Sequence, residues 1–348
     1  MKVINVVGTK GKGTTSNFTS VLLQAYAQRI GFPKIIGLYT KPAVITRREM
    51  IRINSVPLSE ESFAKYWFEV YDILDSKISN TSAFPRLFQV LPLVAYHAFI
   101  SEGVEAAIFE ANVGGENCAT SVFQSIVVGF VAIGLDHVNS LGGTIEEIAW
   151  QKGGIMKSGS PAFSTMQEEK IAAILQQRAD EKKVELKFVK IDPRVPICHS
   201  KLEPDVLKLN LSVAINLAEA FLKRQKQEGK EKEILTSKDI AAALDKFNML
   251  GRFQIVKEGK HEWFLDLAHN VISVPKAVAW FASYATKSLN APKILIYFQT
   301  PTKYRDSWEV LGALVSSLKK DKVVLKKVIL ATRVEKGKNK MNEIPLMS

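Results

Sequence analysis

Cysteine is scarce in this chain of 348 residues, which contains only Cys118 and Cys198. The two residues do not form a C-x-x-C pair. This usage argues against both a disulfide framework and a cysteine-bound zinc site, and it fits a reducing compartment.

Long apolar runs are missing as well. No stretch approaches the roughly 18 apolar residues that are needed to span a bilayer. The first predicted strand begins at Val3, with no cleavable apolar segment ahead of it. We therefore expect a protein without a membrane partner, located in the cytoplasm or the mitochondrial matrix.

Acidic residues are too few to balance the basic ones, which leaves a net charge of +12. The lysines concentrate only at 223–232, 319–327 and 336–340, and none of these runs contains an aromatic residue. We interpret the runs as solvated helix faces and loops, with nucleic-acid binding as a minor alternative. The excess positive charge would then steer small anions toward the protein.

The segment Val3–Thr15, VINVVGTKGKGTT, has the pattern of a strand, a phosphate-binding loop and a helix start. Glycines permit the tight turn, Lys12 supplies a charge for phosphate, and a threonine hydroxyl suits Mg²⁺. The alternative is a glycine-rich surface turn. We predict nucleotide binding by these residues: Gly8, Thr9, Lys10, Gly11, Lys12, Gly13, Thr14 and Thr15. The spacing differs from G-x-x-x-x-G-K-[ST], because Val6 stands at the first glycine position and Gly13 follows the lysine.

Length and a 47% apolar composition predict two domains with a large core. Residues 1–250 form an α/β P-loop ATPase domain with a mainly parallel sheet flanked by helices. Residues 251–348 form a smaller Rossmann-like α/β domain, with the order strand, strand, helix, strand, helix, strand. Buried strands at 104–110 and 126–133 are each followed by polar residues, where open α/β sheets place their sites.

Helices of the first domain are predicted from apolar stripes and capping residues. Ser59 caps a helix over 59–74, and Thr144 with Glu147 forms a capping box. The helix after Thr144 is expected to carry both Lys152 and Lys157. Pro92 should kink the helix over 84–102 or start it anew. Further segments are a hairpin or strand at 50–56, helices at 167–183 and 213–225, a strand at 184–189 and a charged loop at 225–233.

Five motifs, in this order, resemble the folylpolyglutamate synthase and dihydrofolate synthase branch of the Mur ligase family. The loop GTKGKGTT is followed by FEANVGGE at Phe109–Glu116 and by LDHVNSLGGTIEEIAWQKGGIMK at Leu135–Lys157. GRFQ at Gly251–Gln254 and DLAHN at Asp266–Asn270 complete the set. The resemblance implies transfer of the γ-phosphoryl group of ATP onto a carboxylate, and displacement of phosphate by an amine such as glutamate.

The resemblance also implies roles for individual residues. It makes Glu110 and His137 ligands of Mg²⁺, in addition to the Thr14 hydroxyl offered by the phosphate loop, with ATP as the second cofactor. Taken without the resemblance, Glu110 is better explained as a turn-capping carboxylate and His137 as a hydrogen-bonded core histidine. The resemblance implies catalytic roles for Lys12, His137 and Lys152. Lys152 matches a lysine that is carbamylated in some family members, and the alternative is an unmodified lysine near phosphate. It also implies that the nucleotide is bound by Asn216, Arg252, Asp266 and His269. Each of these residues can also be explained as an ordinary structural residue that binds no ligand.

Three family motifs are altered in this chain. T-S-P-H-L appears as Thr40–Val44, with Lys41 and Ala43 in place of serine and histidine. Y-D-A-T-N has Cys118 in place of aspartate, and H-Q-x-x-N retains only Asn216. A protonated lysine cannot bind Mg²⁺, so these changes predict altered ligand contacts and weak folate activity. The short second domain also indicates that family segments are absent here.

The sequence therefore supports three functions. The first is an ATP-dependent amide ligase that adds glutamate to a folate-type carboxylate, acting as a monomer on small-molecule substrates. The second is a diverged paralogue for another acid or amine. The third is a catalytically impaired nucleotide-binding regulator that keeps the phosphate loop.

Overall fold

The structure is a computed structural model, and it describes residues 1–78, 83–203, 205–224, 234–285, 291–298 and 307–331. The chain divides into two units, Met1–Leu250 and Gly251–Ser348. The predicted charged loop at 225–233 and the basic run at 336–340 lie outside the described residues.

The first unit is built on an eight-stranded sheet in the order β4-β3-β2-β5-β1-β6-β7-β8. Six neighbouring strands run parallel, namely β2, β5, β1, β6, β7 and β8. Strands β3 and β4 add an antiparallel hairpin at one edge. The predicted mainly parallel sheet is therefore confirmed. The strands are β1 (Lys2–Val7), β2 (Ile36–Tyr39), β3 (Ile51–Ile53), β4 (Val56–Pro57), β5 (Ala106–Glu110), β6 (Ser125–Phe130), β7 (Ala162–Thr165) and β8 (Leu186–Val189).

Helices cover both faces of this sheet, as predicted. The central strands are apolar on both faces because the sheet is buried on both sides. Helices α2, α3, α5 and α6 pack on one face, and α1 and α7 pack on the other. The helices of this unit are α1 (Lys12–Ile30), α2 (Glu60–Lys77), α3 (Leu87–Ser101), α4 (Val138–Leu141), α5 (Ile145–Gly153), α6 (Glu169–Glu181), α7 (Val206–Lys223) and α8 (Ser237–Lys246).

Both predicted helix caps are present. The Ser59 hydroxyl accepts a hydrogen bond from the Ser62 amide at 3.0 Å. Thr144 and Glu147 form the reciprocal capping box, at 3.0 and 3.2 Å. These local patterns need no tertiary partner, which is why the sequence alone predicts them.

Helix α3 runs through Pro92 without a break, so the prediction that it starts anew there is wrong. Proline has no N–H to donate to the carbonyl four residues earlier, which belongs to Phe88. That carbonyl accepts a hydrogen bond from the Asn112 side chain instead. A partner from another element thus satisfies the group that proline leaves unpaired.

Two other helix predictions need correction. Helix α5 ends at Gly153, where the Gly153–Gly154 pair closes it, so Lys157 lies beyond the helix. Helix α7 begins at Val206 rather than at 213, because its buried face extends back to Leu207. Helix α8 and the short strand β7 were not predicted.

The second unit contains the predicted order of strands and helices. Strands β9 and β10 form an antiparallel pair, and β11 and β12 run parallel on either side of α10 in the chain. Its bounds are β9 (Gln254–Glu258), β10 (His261–Leu265), α9 (Val274–Ala285), β11 (Ile294–Phe298), α10 (Ser307–Lys320) and β12 (Lys327–Ala331). The core between α9 and α10 contains Val274, Val278, Val310 and Leu314.

Among the described residues, no helix combines the length and the apolar character required to cross a bilayer.

Candidate active site

The phosphate loop is held against the end of β6. The backbone amides of Thr9 and Lys10 both donate to the carbonyl of Ala132, at 2.7 and 3.1 Å. Gly8 has a φ of 154°, and a Cβ there would lie 2.5 Å from the Val131 side chain. Glycine is therefore required at position 8, both for the conformation and for the close approach.

Two lysine side chains donate hydrogen bonds to backbone carbonyl oxygens of the phosphate loop. The Lys12 ammonium bonds the carbonyl oxygens of Gly8 and Thr9, at 3.0 and 3.1 Å. The Lys152 ammonium, brought in by α5, bonds Gly8 at 3.0 Å and Val113 at 2.8 Å. Burial lowers the pKa of Lys12 to about 8, and it lowers the pKa of Lys152 well below its usual value.

Glu110 ends β5 and faces the first turn of α1. Its Oε2 atom accepts hydrogen bonds from the Thr40 hydroxyl at 2.6 Å and from the Lys41 amide at 2.9 Å. The same oxygen lies 2.9 Å from where a Cβ of Gly13 would stand. Thr14, the next residue of α1, is buried. A carboxylate and hydroxyls at this helix start are the oxygen ligands that Mg²⁺ prefers.

Asp136 and His137 follow β6. Asp136 pairs with the Lys10 ammonium at 3.4 Å and accepts the His137 amide at 2.9 Å. The His137 side chain is 43% exposed, and its Nε2 atom lies 4.0 Å from Asp136. Burial, with help from lysines at positions 152, 12 and 41, lowers the pKa of His137 and favours the neutral imidazole, which Asp136 opposes.

The predicted metal ligands do not form a complete protein cage. Within the described ranges, no group of three or more His, Cys, Asp or Glu side chains is placed to hold a metal ion. Glu110 accepts hydrogen bonds from Thr40 and Lys41, and the His137 ring lies near Asp136. Sharing of one ion by Glu110 and His137 therefore stays a prediction.

Helix α7 contributes an amide that the sequence analysis missed. Asn210 is buried, and its side-chain amide lies 2.8 to 3.0 Å from the position of a Cβ at Gly11. The signal for this residue in the sequence is that a polar asparagine stands within the apolar stripe of α7. The predicted Asn216 instead donates to the carbonyl of Ser212 within its own helix, at 2.9 Å.

A second missed residue, Glu49, shapes the altered loop after β2. Its carboxylate accepts hydrogen bonds from the backbone amides of Val44, Ile45 and Thr46, at 2.9, 3.1 and 2.9 Å. Burial alone would raise the pKa of Glu49, but these amides hold it below its usual value. The loop is thus tied to Glu110 at its start and to Glu49 at its end.

Arg252, Asp266 and His269 all lie in the second unit. The two Asp266 oxygens accept the amides of Phe253 and Ala268, at 2.9 and 2.7 Å, and burial raises the pKa of this carboxyl. The His269 Nδ1 atom lies 2.7 Å from a backbone carbonyl oxygen two residues earlier. Their part in nucleotide binding stays a prediction, because these contacts are local.

A phosphate loop joins the first strand of a parallel sheet to its first helix, and a buried carboxylate faces that helix start. These features define the first unit as a P-loop nucleotide-binding domain. No protein-family profile matches the chain.

Comparison with curated proteins shows which P-loop proteins this chain is similar to. The chain is 40% identical to a folylpolyglutamate synthase of Neurospora crassa, over 86% of this chain and 58% of the relative. It is 37% identical to a folylpolyglutamate synthase of Saccharomyces cerevisiae, over 96% of this chain and 62% of the relative. The chain is related to the folylpolyglutamate synthases over most of its length, which confirms the resemblance found in its motifs. It spans 58 to 62% of the length of these relatives.

Solved structures share the fold. The folylpolyglutamate synthase of Thermotoga maritima matches with a TM-score of 0.76 and 23% identity, over 98% of this chain and 77% of that chain. An apo form of the L. casei enzyme matches with a TM-score of 0.71 and 21% identity, over 95% and 87%. A complex described as FPGS-AMPPCP-folate also matches, with a TM-score of 0.71 and 22% identity over 95% and 87%.

Proposed function

We propose that this chain is an ATP-dependent ligase that joins a carboxylate to an amine through an acyl phosphate. The proposed acid is of the folate type and the proposed amine is glutamate. The observation that carries the proposal is the placement of the Glu110 carboxylate and the Thr40 hydroxyl against the start of α1, beside the phosphate loop. The relatives' name and the bound ATP analogue and folate in one matching complex support it.

The site suits phosphoryl transfer between two anions. ATP and the acid repel each other, so catalysis depends mainly on positioning and on neutralising charge. Lys12 and the loop amides would offset the negative charge of the phosphates. His137, held by its backbone to Asp136, stands at the end of the neighbouring strand β6, where a substrate group would enter.

The residues present fit a magnesium ion. Mg²⁺ in such sites uses one or two carboxylates together with phosphate oxygens and waters, rather than a cage made of protein alone. Glu110 and Thr14 would hold it in this chain. When bound, the ion would neutralise phosphate charge and orient the transferred group.

Lys152 is best explained as an unmodified lysine in this site. Both of its contacts are to carbonyl oxygens, which require an N–H donor. In a carbamylated lysine the Nζ atom keeps a single N–H, which can donate to one of these carbonyls but not fully to both, whereas an ammonium has three donors. We therefore assign Lys152 to positioning the phosphate loop.

A diverged paralogue is the second candidate, favoured by the altered loop. Lys41 and Ala43 replace family serine and histidine, and Cys118 replaces aspartate. In the structure, Cys118 lies 3.4 Å from the Thr120 hydroxyl and presents no carboxylate. A nucleotide-binding regulator without turnover would retain the same phosphate loop.

Release of ADP and phosphate, measured with Mg²⁺ and a panel of acids and amines, tests the proposal. Turnover that requires both a folate-type acid and glutamate supports the ligase. Turnover with another pair supports the paralogue. Nucleotide binding without turnover on any pair overturns the ligase and favours the regulator. We place the protein in the cytoplasm or the mitochondrial matrix, as a monomer, which fractionation and light scattering would test.

A further inference from the structure

Lys41 differs from the other lysines of the site. Lys10 pairs with a carboxylate, and Lys12 and Lys152 donate to backbone carbonyls. The Lys41 ammonium lies over the ring of Phe88, 5.2 Å from its centroid. Within the part of the chain that the structure describes, no hydrogen bond or ion pair is found for this ammonium. Its three N–H groups are therefore available to a ligand.

The backbone of Lys41 is fixed beside the phosphate loop. Its amide donates to Glu110 Oε2 at 2.9 Å, and the Thr40 hydroxyl donates to the same oxygen at 2.6 Å. A Cβ at Gly13 would lie 2.9 Å from that oxygen and 3.1 Å from the Thr40 hydroxyl. Lys41 thus directly follows a residue that touches the first turn of α1. Backbone amides at such a helix start bind phosphate.

The support beneath the Lys41 ammonium is also built into the fold. Pro92 leaves the Phe88 carbonyl without its helical donor, and Asn112 donates to it instead. Asn112 in turn accepts the Tyr39 hydroxyl at 3.1 Å. The backbone of Phe88 is thereby anchored by Asn112, which is itself bonded to Tyr39 at the end of β2. A cation over an aromatic face is held weakly and keeps its hydrogen-bonding capacity.

We propose that the Lys41 ammonium binds the terminal phosphate of a nucleoside triphosphate, so that the chain distinguishes triphosphate from diphosphate. This inference rests on the proposed nucleotide binding. The charge fits an anionic group, and the residue before Lys41 touches the start of α1, where a phosphate would bind. A lysine ammonium is a compact charge whose N–H donors can rotate, so it can bond the oxygens of a tetrahedral phosphate group.

Calorimetric binding of ADP and of the non-hydrolysable analogue AMPPCP, each with Mg²⁺, tests this inference without requiring turnover. Lys41→Met should weaken AMPPCP binding by about tenfold or more, because a charge-assisted contact is lost. ADP binding should change less than about twofold. Lys41→Arg, which retains the charge, should recover part of the AMPPCP affinity. If Lys41→Met does not fold, Lys41→Gln serves as the neutral variant.

Lys65 provides the matched control. Its ammonium lies 5.4 Å from the centroid of the Tyr66 ring, on an exposed side chain of α2. Lys65→Met should leave both affinities unchanged. Equal losses for ADP and AMPPCP in Lys41→Met, or no loss for either, would overturn this inference alone. Failure of the unmutated chain to bind either nucleotide would overturn the proposed function as well.

Discussion

Lys12 and Lys152 donate to the same acceptor, the carbonyl oxygen of Gly8, each at 3.0 Å. The two residues are 140 positions apart in the sequence, and the packing of α5 brings them together. Burial lowers the pKa of Lys152, and the nearby charge of Lys12 lowers it further, since like charges in a poorly solvated site disfavour protonation. The phosphate loop is therefore supported by one lysine from its own helix and one from α5.

Removal of the loop lysine should abolish ATP turnover. Lys12→Ala deletes the charge that would meet phosphate, and it leaves the Thr9 carbonyl without its side-chain donor. The expected loss of stability is only about 1 kcal/mol, so the variant should remain folded. ADP release and circular dichroism measure the two effects. Turnover at the unmutated rate in a folded variant would remove the phosphate loop from the mechanism.

The stability of the chain should depend on pH through Lys152. Burial lowers the pKa of Lys152 well below the usual lysine value of 10.5, so between the two values the unfolded chain binds one proton more than the folded chain. Raising the pH through this window therefore stabilises the fold, by up to about 1.4 kcal/mol per pH unit. Lys152→Met should lack this contribution.

Chemical denaturation from about pH 7 to about pH 9 measures it as the difference in unfolding free energy between the unmutated chain and the variant. That difference should grow with pH. Lys170→Met, which removes a side chain that is 79% exposed, is the control and should show a constant difference. A constant difference for Lys152→Met as well would show that Lys152 titrates alike in both states.

The magnesium requirement should depend on Glu110 and His137. Glu110→Gln and His137→Ala should each raise the Mg²⁺ concentration for half-maximal turnover, by about tenfold or more. Their effects should not add if both bind one ion. Glu105→Gln, just before the opposite end of β5, should leave the requirement unchanged. Additive losses with an unchanged Mg²⁺ dependence would assign the two residues to separate structural roles.

The altered loop should limit activity on folate. We expect weak folate glutamylation, because unmatched buried polar groups cost on the order of 1–3 kcal/mol each. Restoring Lys41→Ser, Ala43→His and Cys118→Asp together should move activity toward folate, measured as glutamate incorporation. Robust folate glutamylation by the unmutated chain, equal to that of the triple variant, would show that these positions do not set the substrate.

Local patterns in the sequence were sufficient for much of the fold. The alternation of glycine and lysine after an apolar run predicted the phosphate loop at Gly8–Thr15. The capping box at Thr144, the apolar run of β5 and the β-branched residues of β6 predicted their elements, because each pattern depends on neighbours a few residues away. The short strand β7 was missed, since only Ala162 and Phe163 of its four residues are apolar.

What the sequence determined by itself was the class of the protein: a P-loop fold, with glycines and a lysine that suit phosphate, in an order of motifs shared with the folylpolyglutamate synthases. Only the tertiary structure decided which distant side chains support that loop. Asn210 lies at Gly11, Lys152 binds Gly8, and Glu49 holds the loop that follows Lys41. Such pairings depend on how helices pack on the sheet, and packing joins residues that have no periodic relationship along the chain.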